Sequence, residues 1–265
     1  ANDGRVVHIE HTAARPAAMG LLDRPFPPAV EAALGTDSLW SHQAEAINLV
    51  RAGTNVVVAT GTASGKSRCF QLPIAGAVLD PLQPGSAMVL YPTKALAHDQ
   101  LRSFAKLGIP DLKASAYDGD ASPQEKTWIR QNANVVLTNP EMLHGGILPR
   151  HQKWDALLMR LRYVVIDELH VLRGVFGTHV AHVLRRLRRI CRHYGSDPTF
   201  IFCSATIGQP ERLAAALCGA PVHAVANDGS PRGPRSFALL DPPVIDDESG
   251  ARGDRAPHHH LLSEP

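Results

Sequence analysis

Gly65-Lys66-Ser67 closes a run of small residues that starts at Ala59, and Asp167-Glu168 closes the apolar run Tyr163-Val164-Val165-Ile166. Together the two segments hold what cutting a nucleoside triphosphate requires. A loop of small residues between a strand and a helix turns bare backbone N–H groups towards a phosphate chain. Thr62, Ala63, Ser64 and Gly65 would offer those groups, with Lys66 placing a positive charge near the outer phosphates. The Ser67 hydroxyl would sit on a Mg2+ ion. At the acidic pair, one carboxylate can hold the metal while its neighbour orients or deprotonates a water. The strict pattern of Gly, four residues, Gly-Lys-Ser/Thr fails, because Thr60 stands where the first Gly belongs. Either segment alone also fits an ordinary turn; both in this order point to a triphosphate site.

Such a site has to be carried by strands. Apolar runs at 55–60, 87–91, 113–117, 135–138, 162–167, 199–204 and 222–225 are apolar on both alternations, as strands covered on two faces must be. Helical patterns separate them, which is the rhythm of an α/β fold with a mostly parallel sheet and helices on both faces. Ser122-Pro123-Gln124-Glu125 has an N-cap, Pro at N1 and Glu at N3. Pro210 to Leu217 opens on Pro, with Gly219 just beyond its end. Val180, Val183, Leu184, Leu187 and Ile190 form one stripe at helical spacing. Five arginines interleave with that stripe between Arg185 and Arg192, which puts them on the solvent faces of an amphipathic helix.

The 265 residues allow one large α/β core or two small ones, and 20% charged residues with 44% hydrophobic ones are ordinary for a soluble protein. A net charge of +2 does not by itself argue for nucleic acid, although 21 Arg against 6 Lys suits phosphate contacts wherever they cluster. Cys69, Cys191, Cys203 and Cys218 are scattered, so buried thiols in a reducing cytoplasm are expected, and a zinc site is not. No 18-residue apolar run and no leader pattern occur, so neither a membrane partner nor secretion is expected.

Four more segments fall at strand ends or just before the loop: Leu39-Trp40-Ser41-His42-Gln43, Tyr91-Pro92-Thr93-Lys94-Ala95-Leu96, Thr138-Asn139-Pro140-Glu141-Met142-Leu143 and Ser204-Ala205-Thr206. In this order and spacing the chain resembles, from about residue 20 to 226, the first RecA-like P-loop domain of superfamily 2 helicases of the DEAD/DEAH-box kind. The stretch Asp167 to Leu187 looks closest to the bacterial SftH/MrfA-type DNA helicases, relatives of the fungal Hrq helicase. The resemblance implies ATP and Mg2+ as cofactors and DNA-directed work, including repair. Gln43 would read the adenine edge and Phe26 would stack on the base. Asp167 would hold Mg2+ through water, with Glu168 as general base. His170, Ser204 and Thr206 would couple nucleotide state to movement. Thr93, Lys94, Thr138 and Asn139 would touch the backbone of single-stranded DNA, or of a duplex–single-strand junction. Leu169 stands where the named boxes have Ala.

The resemblance also implies a partner: a second RecA-like domain, supplying an arginine finger, in a protein that works as a monomer. Nothing after residue 206 resembles that second domain. Residues 1–20 read as an arm with little pattern, residues 21–226 as the ATP-binding domain, and residues 227–265 as a linker and the start of the second domain. Ser236 to Leu240 reads as a strand without a partner, mobile or packed on the first sheet. The last stretch, with His258-His259-His260, reads as a solvated tail rather than a metal site. Three other readings stay open: an RNA-remodelling ATPase, a small-molecule kinase, and a non-catalytic nucleic-acid-binding module. Arg150 and Arg173 are weaker single candidates for strand contacts.

Overall fold

The computed structural model describes residues 6–35 and 38–240. In chain order its strands are β1 (Val6–Thr12), β2 (Val56–Ala59), β3 (Ser86–Leu90), β4 (Ala114–Ala116) and β5 (Val135–Thr138). They continue with β6 (Leu161–Ile166), β7 (Thr199–Ser204), β8 (His223–Val225) and β9 (Arg235–Leu240). The helices are α1 (Pro28–Leu34), α2 (Ser41–Arg51), α3 (Arg68–Val78), α4 (Lys94–Ala105) and α5 (Pro123–Asn132). Beyond these come α6 (Pro140–Met142), α7 (Asp155–Met159), α8 (Gly174–His193) and α9 (Pro210–Cys218).

Residues 18–230 form one compact unit around a seven-stranded parallel sheet of order β4-β5-β3-β6-β7-β2-β8. The seven apolar runs became β2 to β8, each within one residue of its expected ends. The reason they read so plainly is that alternate residues feed opposite cores. Val164, Ile166, Phe200 and Phe202 pack beneath α8 and α9, with Leu184, Leu187, Ala214 and Leu217. Their neighbours Tyr163, Val165, Ile201 and Cys203 pack on the other face with Phe70 and Ile74 of α3 and Phe104 of α4. Each such large apolar side chain contributes on the order of 1.5–3 kcal/mol when buried, so neither alternation can be polar. The α5 start carries its full capping box: the Ser122 hydroxyl accepts from Glu125 N and the Glu125 carboxylate accepts from Ser122 N. On α8 the stripe turns inward, and Arg188 caps α9 by donating to the Cys218 and Gly219 carbonyls at 2.8 and 3.0 Å.

The second unit joins, among the described residues, 6–17 to 231–240. In it β1 and β9 pair antiparallel, from Val6 opposite Leu240 to Thr12 opposite Arg235, and the ring of His11 bonds Ser236 Oγ at 2.8 Å. This corrects the patternless arm, because Val6–Thr12 is a strand. It also corrects the partnerless strand, because β9 is paired, and with β1 rather than with the large sheet. The acidic tail and its three histidines lie outside the described residues.

Candidate nucleotide site

The sheet register lines up the chemical segments. Ala59 lies opposite Ser204, Ile166 opposite both Phe202 and Leu90, and Leu90 opposite Thr138. The ladder runs on past the strands, with Asp167 N donating to the Leu90 carbonyl and Tyr91 N to the Thr138 carbonyl. The small-residue loop, the acidic pair and the segments after β3, β5 and β7 therefore leave one edge of the sheet side by side. Ligands in open parallel sheets collect at these carboxyl ends. A cavity of about 680 Å³ opens there, lined among others by Thr62, Lys66, Thr93, Glu168, His170 and Ala205.

The loop is held from within and from below. Thr60 is buried, its hydroxyl 2.7 Å from Ser64 Oγ, so the residue that breaks the strict pattern braces the loop from inside. Ser64 Oγ also donates to the Gly61 carbonyl at 2.8 Å. Lys66 Nζ donates to the carbonyls of Thr60 and Gly61 at 3.1 and 2.6 Å. Below, the ring of buried His42 bonds the Ser64 carbonyl at 2.9 Å, and Gln43 Nε2 donates to the Gly65 carbonyl at 3.1 Å. Gly65 has φ +66°, and a Cβ there would come 2.5 Å from Gln43 Nε2 and 3.1 Å from ring carbon Cζ3 of Trp40. Ala63 also has positive φ, at 58°. Ser67 immediately precedes α3, and its Oγ accepts from Gln100 of α4 at 3.3 Å.

At the acidic pair, Asp167 Oδ1 accepts from Glu168 N at 2.9 Å. Burial pushes the Asp167 carboxyl up to about 6, reinforced by the Glu168 charge and opposed by that backbone bond, Lys66 and His170. Glu168 is left-handed at φ 53°, a costly conformation for a residue with a Cβ, and its carboxylate lies 3.3 Å from His170 Nδ1. Two buried polar atoms here have no hydrogen-bond partner, Tyr91 Oη and Ser204 Oγ, while buried His170 Nδ1 has the Glu168 carboxylate beside it. Orphaned groups at a strand edge beside two carboxylates are suited to water or a ligand. Leu169, at the position of the usual Ala, points the other way into the core.

The sequence-derived residues do not all arrive. Thr206 is exposed in the turn after β7. Phe26 is a correction: it is 5% exposed, with the Arg51 guanidinium 4.5 Å above its ring and Gly76 alongside. Arg51 ends α2 and Gly76 lies near the end of α3, whereas the loop abuts the starts of both helices, so Phe26 is core and not a base-stacking group. Gln43 is at the loop, but both ends of its amide are engaged, since Oε1 accepts from Trp40 N at 3.1 Å. In this state it braces the loop rather than presenting an edge to adenine. Thr138 is buried and its hydroxyl donates to the Tyr117 carbonyl at 2.7 Å, which removes it from any strand surface. Thr93 caps α4 and Asn139 caps α6, the latter by accepting from Met142 N at 2.8 Å. Lys94 is exposed and donates to Asp120 at 2.7 Å, which raises the lysine and lowers the carboxyl from their ordinary values. His42, Trp40 and Gln100 are site residues that the sequence did not single out. The first two stood beside Gln43, while Gln100 is 33 positions from Ser67, with no local signal.

The DEAD/DEAH box helicase family model matches residues 40–213. The chain is 46% identical over 233 residues to the uncharacterized ATP-dependent helicase YprA of Bacillus subtilis, covering 84% of this chain and 31% of that protein. It is 42% identical to the ATP-dependent helicase HRQ1 of Saccharomyces cerevisiae, covering 82% of this chain and 21% of that one. The crystal structure of the DUF1998 helicase MrfA bound to DNA and AMPPNP superposes with a TM-score of 0.87 at 42% identity, over 92% of this chain and 35% of that one. The chain thus spans about a third or less of the length of these relatives. On the family match and these identities, the chain belongs to the DEAD/DEAH box helicases.

Proposed function

We propose that residues 18–230 bind and hydrolyse ATP as the first motor domain of a DNA helicase. The observation that carries this is the convergence of Lys66, Asp167, the Glu168–His170 pair and the unbonded Ser204 hydroxyl at one edge of the sheet. Backbone N–H groups of Thr62 to Gly65 would cradle the phosphates, and Lys66 would exchange the loop carbonyls for them. The Ser67 hydroxyl and the Asp167 carboxylate are the hard oxygen donors that Mg2+ takes, so the residues present suit the ion. When bound, Mg2+ supplies charge neutralisation at the phosphates. Glu168 would take the proton of the attacking water, and His170 would hold the Glu168 carboxylate.

Among the described residues, no arginine lines the cavity that holds Lys66 and Glu168. Transition-state stabilisation by such a residue is worth about 10³–10⁵ in rate in related phosphoryl transfer, and a group from another domain would supply it. The chain on its own should bind ATP weakly and turn it over very slowly. A longer protein bearing a second RecA-like domain would work along one strand, touching its phosphates with Thr93, Lys94 and Asn139. DNA is favoured over RNA because MrfA, at 42% identity, is a DNA-bound helicase. Four buried thiols suit a reducing cytoplasm, and no described helix is long and apolar enough to cross a membrane.

Two titrations on the 265-residue chain test this. A fluorescent ATP analogue with Mg2+ should bind, and Lys66→Ala should abolish the binding; equal binding by both would remove the phosphate-loop reading. Matched DNA and RNA single strands should then compete with DNA preferred, and an RNA preference would favour a remodelling ATPase.

A further inference from the structure

His42 lies under the phosphate loop, fully buried, and bonds two stretches of main chain that lie 22 and 187 positions away. Its Nδ1 is 3.1 Å from Gly229 N, and its Nε2 is 2.9 Å from the Ser64 carbonyl oxygen. A backbone N–H only donates and a carbonyl only accepts, so the two partners select one tautomer: Nδ1 accepts and Nε2–H donates. The Asp228 carboxylate stands 3.9 Å from the same Nδ1.

Each end of this bridge matters for a different reason. In a planar trans peptide, C=O and N–H point in opposite directions. By drawing the Ser64 carbonyl down, His42 turns the Gly65 N–H up and out of the loop. Gln43 does the same one residue later, drawing down the Gly65 carbonyl and turning the Lys66 N–H outward. Two neighbouring side chains at the start of α2 thereby set two successive donors of an anion nest. At the other end, Gly229 is pressed against α2. A Cβ there would collide with Ser41 Oγ and come 2.9 Å from the Ala18 carbonyl, and Gly229 O accepts from Ala18 N at 2.9 Å. The segment from Asn227 to Ser230 leads the chain from β8 towards β9.

We infer that His42 is a positioning residue of the nucleotide site: it fixes the outward Gly65 N–H and ties that orientation to the segment at Gly229. The inference rests on the loop's binding a triphosphate. It makes the phosphate loop sensitive to displacement of the 227–230 segment, with a single imidazole as the link.

The two halves of the bridge can be cut separately. Gln in place of His keeps a donor near the Nε2 position and loses the acceptor for Gly229, and Asn does the reverse. Binding of a fluorescent ATP analogue to the 265-residue chain is measured alongside amide exchange at Gly229, with the central-strand amides of Val57 and Val164 reporting that each variant is folded. His42→Asn should weaken binding by about tenfold, the effect of one lost hydrogen bond, with Gly229 still protected. His42→Gln should weaken it by only about threefold, while Gly229 exchanges faster and no longer responds to the nucleotide. Equal losses in the two variants, or an unresponsive Gly229 in the unsubstituted chain, would reduce His42 to packing and overturn the inference. Absence of nucleotide binding by the unsubstituted chain would instead remove the underlying reading, and the inference with it.

Discussion

Asp167 carries the sharpest electrostatic signature at the site, a carboxyl lifted by burial from 3.8 to about 6. The sign of its effect on stability follows from linkage. The folded chain holds this proton more tightly than the unfolded one, so its contribution is fully present below about pH 4 and lost as pH rises through about 6. Replacing it with Asn, which still accepts from Glu168 N, removes the cost of the buried charge. Asp167→Asn should therefore raise stability at pH 8 by up to about 3 kcal/mol and give no gain at pH 4, read by urea denaturation at both values. A gain of the same size at both would mean the burial of charge is not the cause. Lys66, Asp167 and Glu168 were legible as residue types because their chemistry is rare in that combination. Phe26 and Thr138 were not, since whether a side chain faces a ligand or a core is decided by packing from distant elements: Arg51 and Gly76 for the one, Tyr117 for the other.

At the scale of elements, the loop works because its backbone takes shapes that side chains resist. Gly65 combines φ +66° with Trp40 and Gln43 at contact distance. Gly65→Ala should push Gln43 away, freeing the Gly65 carbonyl, and lower ATP-analogue affinity at least tenfold. A near-normal affinity would show that the Gln43 brace is dispensable. The strands of the large sheet were legible because burial on two faces leaves no polar alternation to confuse them. β1 was missed for the opposite reason: apart from Val6 its side chains are exposed, and the strand it pairs with, β9, follows more than two hundred residues later. The brace from α4, where Gln100 reaches Ser67, was hidden in the same way. A hydrogen bond between two helices leaves no periodic trace in either.

For the whole molecule, no described arginine lines the cavity at the site edge of the sheet, and the relatives that share this sequence extend far beyond it. Under the proposed function this unit supplies the phosphate loop, the acidic pair and their braces, and turnover would depend on a group brought from another domain. Addition of single-stranded DNA to the isolated chain should therefore leave its slow phosphate release nearly unchanged. Robust DNA-stimulated turnover by the 265 residues alone would mean the site is already complete. The most direct test of the central claim is ATP hydrolysis and nucleotide retention by the natural protein containing this chain, compared with its Lys66→Ala and Glu168→Gln variants in the presence of DNA. The account predicts hydrolysis by the unsubstituted protein and none by Lys66→Ala, with Glu168→Gln holding ATP without cleaving it. Full hydrolysis by Glu168→Gln would contradict it.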